Sequence, residues 1–267
     1  MKFRPYKLLL LCFLPVSMVY AQDTIITNSI GMRFILIRPG SMIVGRFQPT
    51  VFKTSQSSDS IYKIALELAK HDALPGFNVN LDYAYYLGQF EVTQEQWEKV
   101  MNRNPSFFKD GKVKDDASQH PVENVSWSDA QKFIGKLNEL ERGKAVYRLP
   151  SEFEWEYAAR AGAKDDISWS NIGKTAVIAT TTTSIVGKKQ PNPWGLYDML
   201  GNVWEWVQDF YNEKIFAGPV PPKKGREHVL KGASFYGDVK NATYMTHAAG
   251  PASKYDVGFR VVMEVKK

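Results

Sequence analysis

The sequence predicts an α+β domain with little regular secondary structure, and three observations carry that expectation. Three short helices are marked by capping residues ahead of apolar faces, the strand-like runs are all brief, and turn residues dominate the chain after Gly162. Irregular backbone needs partners of its own, because buried amides without acceptors are costly. At 267 residues and 44% hydrophobic, the chain has material for one sizeable core.

The first residues, MKFRPYKLLLLCFLPVSMVYAQD, pass from a basic start through an apolar run to a small-residue site at Val19-Tyr20-Ala21. That order is the signature of a secretory signal, so residues 1–21 are expected to be cleaved and a single domain to occupy 22–267. A membrane anchor is the competing reading, but the apolar run from Leu8 falls short of the roughly 20 residues a spanning helix needs. The expected location is the periplasm or the extracellular side, with no transmembrane anchor after cleavage. The only cysteine, Cys12, lies inside the signal, which leaves the mature chain without disulfides, thiolate metal sites or a cysteine nucleophile. Losing Lys2, Arg4 and Lys7 with the signal lowers the formal charge from +6 to +3, too weak a balance to suggest a nucleic-acid partner.

The elements follow in order. Two apolar runs in FILIRPGSMIVG, separated by Pro39-Gly40-Ser41, predict a hairpin. Residues 47–80 change composition, a Ser/Thr/Gln-rich tract followed by a helical pattern at Ile61, Ile64, Ala65, Leu68 and Ala69, and form an inserted excursion. Helices are expected after Thr93, Ser126 and Ser151; Ser151 with Glu154 forms a capping box, and Gly162 is placed to close that helix. In the second helix Trp127, Ala130, Phe133, Ile134, Leu137 and Leu140 form a core face. Beyond Gly162 the strand-like runs are TTSIVG, HVLKGASF and VGFRVVMEV.

Six ordered blocks, LGQFEVTQEQW, HPVENVSWSDAQKF, YRLPSEFEWEYAARAG, NPWGLYDMLGNVWEWVQDFY, VLKGASF and VGFRV, resemble the formylglycine-generating enzyme, or sulfatase-modifying factor, family from Asn28 to Val262. The resemblance implies the irregular, C-type lectin-like α+β fold of that family. It also implies calcium held by side-chain oxygens of Asp198 and Glu205 and backbone carbonyls of Gly201 and Val203. Calcium takes six to eight hard oxygen ligands, so the residue types suit it. The two carboxylates taken alone equally allow ordinary hydrogen bonds to turn amides. The family's other calcium site depends on a loop that is short here.

The resemblance breaks where the family oxidises a substrate cysteine with copper and oxygen. Gly237 and Ala242 stand where the two copper cysteines would be, and neither can bind Cu(I), so copper and formylglycine generation are not expected, and no catalytic residue is assigned. By alignment, Ser234, Phe235, Tyr236, Asp238, Tyr244 and His247 line the position of the family's substrate cleft. A solvated loop is the alternative for these six, and a structural role the alternative for His247. Two functions from different classes follow: a ligand-binding or scaffold module of the cell envelope, with an envelope protein or a small ligand as partner, or a periplasmic oxidoreductase of altered chemistry, like the cysteine-free siderophore-maturation branch of the family.

Overall fold

The computed structural model describes residues 23–45, 58–60, 62–63, 76–164, 167, 169–215, 220–237, 242–250 and 253–265. The signal segment, most of the excursion and Asp238 lie outside them. Eleven strands and four α-helices are named among these residues.

The largest sheet has five strands in the order β1 (Ile25–Thr27), β2 (Arg33–Ile37), β5 (Tyr85–Gly88), β11 (Val262–Val265), β6 (Ala145–Arg148), every pair antiparallel. A four-stranded sheet runs β10 (Val257–Gly258), β7 (Trp204–Phe210), β8 (His228–Lys231), β9 (His247–Gly250), with β10 parallel to β7. The third sheet pairs β3 (Gly40–Val44) with β4 (Phe77–Leu81). No helix among the described residues is long and apolar enough to cross a membrane.

The expected hairpin after Phe34 does not form. Phe34, Ile35, Leu36 and Ile37 are all buried, alternate residues entering two different core clusters. Both ladder edges of this strand are taken, by β1 on one side and β5 on the other. The chain therefore leaves the sheet at Arg38-Pro39, and β3 pairs with β4 instead. Phe77–Leu81 thus turns the last residues assigned to the excursion into sheet.

All three caps form. Helices α1 (Gln94–Met101), α2 (Trp127–Leu140) and α3 (Glu152–Arg160) each begin with a full capping box, at Thr93, Ser126 and Ser151. Helix α3 ends on Ala161 in the left-handed conformation, one residue before the glycine expected to close it, and Gly162 continues with positive φ. Trp97 of α1 stacks on Phe133 of α2 at 5.3 Å, locking the two helices together. A fourth helix, α4 (Trp169–Thr175), opens the irregular half. TTSIVG is not a strand: the Asn202 Oδ1 takes the Ser184 amide and the Asp198 Oδ2 takes the Gly187 amide, so side chains replace the ladder.

Candidate functional site

The segment from Tyr197 to Trp206 is bent by three left-handed residues, Asp198, Gly201 and Asn202. Gly201 is obligatory here, since a Cβ would run into the backbone of Val177 while φ is +85°. The bends are held from outside: Gly201 N–H donates to Gly232, and Asn202 N–H to Val177. Asn202 Nδ2 and Val203 N–H both donate to the buried carboxylate of Glu91, at 2.9 and 3.3 Å.

Below the bend lies a charged hub. Arg260 donates from Nε and Nη2 to the two oxygens of Glu205 at 2.7 and 2.6 Å, and also to the carbonyls of Gly88, Tyr197 and Asp198. The indole of Trp155 adds a bond of 2.7 Å to Glu205 Oε2. Asp198 Oδ1 is buried and accepts no hydrogen bond from the protein. Burial, with Asp198 and Glu205 adding to it, drives the Glu91 carboxyl well above its usual range. Burial raises Asp198 to about 6, against the pull of the Gly187 amide and Arg260. Three buried carboxylates thus face one guanidinium, a set short of positive charge and with one free oxygen. Of the residues that the family resemblance assigns to calcium, Glu205 has both oxygens taken by Arg260 and Trp155, which leaves Asp198 Oδ1 as the one open carboxylate oxygen of the pair; among the described residues no three His, Cys, Asp or Glu side chains converge as a metal site. Asp198 also borders a cavity of about 360 Å³ with Lys174, Asn192, Leu196 and Tyr244.

The residues aligned with the family cleft separate. Ser234, Phe235 and Tyr236 share one turn: Ser234 Oγ donates to Asp256, Phe235 is buried between Phe108 (5.2 Å) and Tyr255 (6.3 Å), and Tyr236 is 71% exposed. Phe107 and Tyr255, each about half exposed, pack against each other and on Phe108. Gly237 ends the turn, its amide donating to Ser234, and Ala242 is buried. Tyr244 lies instead in the cavity beside Asp198. His247 sits on β9, whose pairing with β8 carries it to Glu152, 3.2 Å from Nδ1, beside the buried Lys231, Glu156 and Arg160. Asp238 lies outside the described residues.

The chain matches the Sulfatase-modifying factor enzyme 1-like domain over residues 27–265. It belongs to that family. The family's copper cysteines have no counterpart, since Cys12 is the only cysteine. The chaperone protein LppX of Paenibacillus barcinonensis is 28% identical over 79% of this chain and 85% of its own length. The formylglycine-generating enzyme of Mus musculus is 33% identical over 44% of this chain, a match spanning about a third (36%) of that enzyme. Among solved structures, Treponema denticola variable protein 1 superposes over 91% of this sulfatase-modifying-factor-type chain and all of its own, with a TM-score of 0.75 at 25% identity. PvdO from Pseudomonas aeruginosa covers 92% of this chain and all of its own at a TM-score of 0.72 and 21% identity, a likeness of fold.

Sequence reasoning missed Glu91, Arg260 and Trp155 as site residues, although all three stood in the family blocks. The available signal was a charge inside an apolar run: Arg260 between Phe259 and Val261, Glu91 between Phe90 and Val92. Such a residue, once buried, must find a partner.

Glu123 supplies a test of the same rule beneath the aromatic surface. It accepts from the Phe108 amide at 2.8 Å, its other oxygen has no hydrogen-bond partner, and burial lifts its carboxyl from 4.5 to about 7. Between those values the folded protein keeps a proton that the unfolded chain has released, so stability falls as pH rises through the window. The loss is complete above pH 7 and amounts to roughly 3 kcal/mol. Glu123→Gln should remove it, so the wild-type-minus-variant difference in urea midpoint is expected to fall from pH 4.5 to 8; a constant difference would refute the assignment.

Proposed function

We propose that the protein is an exported polypeptide-binding module of the cell envelope, built on the formylglycine-generating-enzyme fold without copper-cysteine chemistry and braced by a structural calcium ion. The observation that carries the reading is the exposed ring of Tyr236 beside Gly237, where a copper cysteine would stand, on the turn whose Phe235 packs into the ring cluster of Phe107, Phe108 and Tyr255. Exposed rings with limited rotamer freedom are the usual anchors of binding interfaces. Similarity to a relative named as a chaperone protein supports a polypeptide as the ligand class, and the signal-like first 21 residues support export. Calcium is supported by the family resemblance and by the open oxygen of Asp198.

The test uses a chemically denatured secreted protein as the client. Wild type is expected to slow its aggregation on dilution, and Tyr236→Ala and Phe107→Ala to raise the half-effective concentration at least about tenfold, the loss of an anchor worth about 1.4 kcal/mol or more. Tyr236→Ala should melt as wild type does, because its ring is exposed, whereas Phe107→Ala also loses packing on Phe108 and Tyr255 and is compared at a temperature where it is fully folded. Equal activity in all three proteins, or none in wild type, would remove the proposal.

A further inference from the structure

On the other side of the 180s loop lies a cleft of about 540 Å³ lined by Lys112, Lys114, Asp115, Thr180, Thr183 and Lys189, among others. Asp115 and Thr183 line it, and behind them the buried His120 joins the two in a continuous chain of hydrogen bonds. His120 Nε2 lies 2.8 Å from Asp115 Oδ1, and His120 Nδ1 lies 2.9 Å from Thr183 Oγ1. The other carboxylate oxygen of Asp115 accepts from Lys188 at 2.7 Å. The hydrogen bonds from Lys188 and His120 hold the Asp115 carboxyl down at about 2, so it is a carboxylate at any working pH. An ionised carboxylate on Nε2 takes the ring proton there and leaves the Nδ1 lone pair for the Thr183 hydroxyl. This is the hydroxyl, imidazole, carboxylate order that activates an oxygen nucleophile, with the two ring nitrogens exchanged relative to a serine protease.

The fold holds the three groups rigidly. His120 follows a 3₁₀ turn (Ala117–Gln119), its amide donating to Ala117 and its carbonyl accepting from Gln94. The 180s loop is tied to that turn by the Val186 amide on the Gln119 carbonyl, and to the hub by the Ser184 amide on Asn202. The amides of Thr181, Thr182 and Thr183 have no protein acceptor among the described residues, and an oxyanion formed from the ester carbonyl would need donors of this kind.

From this geometry we infer a second activity, independent of polypeptide binding: transfer or hydrolysis of a short acyl ester by Thr183. Thr183 Oγ1 attacks the ester carbonyl carbon while its proton passes to His120 Nδ1. The carbon–oxygen bond to the alcohol then breaks, and the alkoxide leaves with that proton. Water attacks the acyl-threonine with His120 again as base, releasing the carboxylic acid and restoring the hydroxyl. No oxidant or cofactor enters the balance. Thr183 and His120 would be the catalytic residues; Asp115 is a positioning residue.

The probe is 4-nitrophenyl acetate with the full-length protein, followed by release of nitrophenol and by peptide mass spectrometry. Wild type is expected to turn over and to carry an acetyl group on Thr183 after an acid quench. Thr183→Ser should retain both, whereas Thr183→Val, checked for an unchanged melting curve, should lose at least about 100-fold in rate, the scale of a general base and its nucleophile. Asp115→Asn should displace the pH–rate profile as well as lower its plateau, which a purely structural carboxylate would not do. If wild type is no faster than free imidazole, if the acetyl group lies elsewhere, or if Thr183→Val keeps wild-type turnover, the inference falls. If Thr183→Val fails to fold, the acylated residue in wild type and Thr183→Ser decides.

Discussion

Arg260→Met is expected to destabilise the protein by about 3–5 kcal/mol, the cost of breaking a buried ion pair from one side. The variant leaves Glu205 buried with only the Trp155 indole as donor, and it strips the carbonyls of Gly88, Tyr197 and Asp198 of theirs. For a domain of this size each kcal/mol is worth about 2–4 °C, so the melting midpoint should fall by about 6–20 °C. Arg260→Lys keeps the charge but cannot reach two oxygens and three carbonyls from one ammonium, and should recover only part of the loss. The double change Arg260→Met with Glu205→Leu should be milder than the sum of the single changes, because it removes the stranded charge. A single variant that melts within 2–3 °C of wild type would mean that the hub is solvated rather than buried.

Chelation carries the second large effect. A ligand held only by the folded state contributes about 2.7 kcal/mol at one hundred times its dissociation constant, so removing calcium should lower the midpoint by about 5–10 °C. Asp198→Asn and Glu205→Gln each remove a charge at nearly constant shape and should shrink the difference between calcium and chelator. Glu139→Gln, on the outer part of α2, should leave it unchanged. Coincident melting with calcium and with chelator, together with no bound ion in native mass spectrometry, would reduce Asp198 and Glu205 to structural hydrogen-bonding groups.

What could be read from the sequence was local. Thr93, Ser126 and Ser151 announce their helices because a cap and its partner lie three residues apart, and the structure contains each box. The missed features depend on distant partners. The Pro39-Gly40 turn signal suggested a hairpin, but the continuous burial of Phe34–Ile37 required neighbours on both sides of that strand. The β-branched run TTSIVG has strand propensity, yet its amides are claimed by Asn202 and Asp198. Family motifs located the bend at Asp198 and Gly201, but the union of Glu91, Glu205 and Arg260 joins residues up to 169 positions apart, the span from Glu91 to Arg260. Alignment placed Tyr236, Tyr244 and His247 in one cleft; the turn at Gly237 leaves Tyr236 exposed, whereas Tyr244, under the Arg160 guanidinium, and His247, on Glu152, both border the buried Arg160–Glu156–Lys231–Glu152 cluster.

Strand β11 lies in the middle of the main sheet, between β5 and β6, although it comes from the far end of the chain. During synthesis from the N-terminus, β5 and β6 are both complete long before their shared neighbour exists. Each then presents an open ladder, and Leu87 and Tyr147 lack the cover that Val262 and Met263 later provide. Such a nascent chain cannot settle into its final sheet early, and long-range pairing of this kind makes folding slow. For an exported polypeptide, as proposed, the delay is useful if export precedes folding, because the main sheet cannot close before β11 is made.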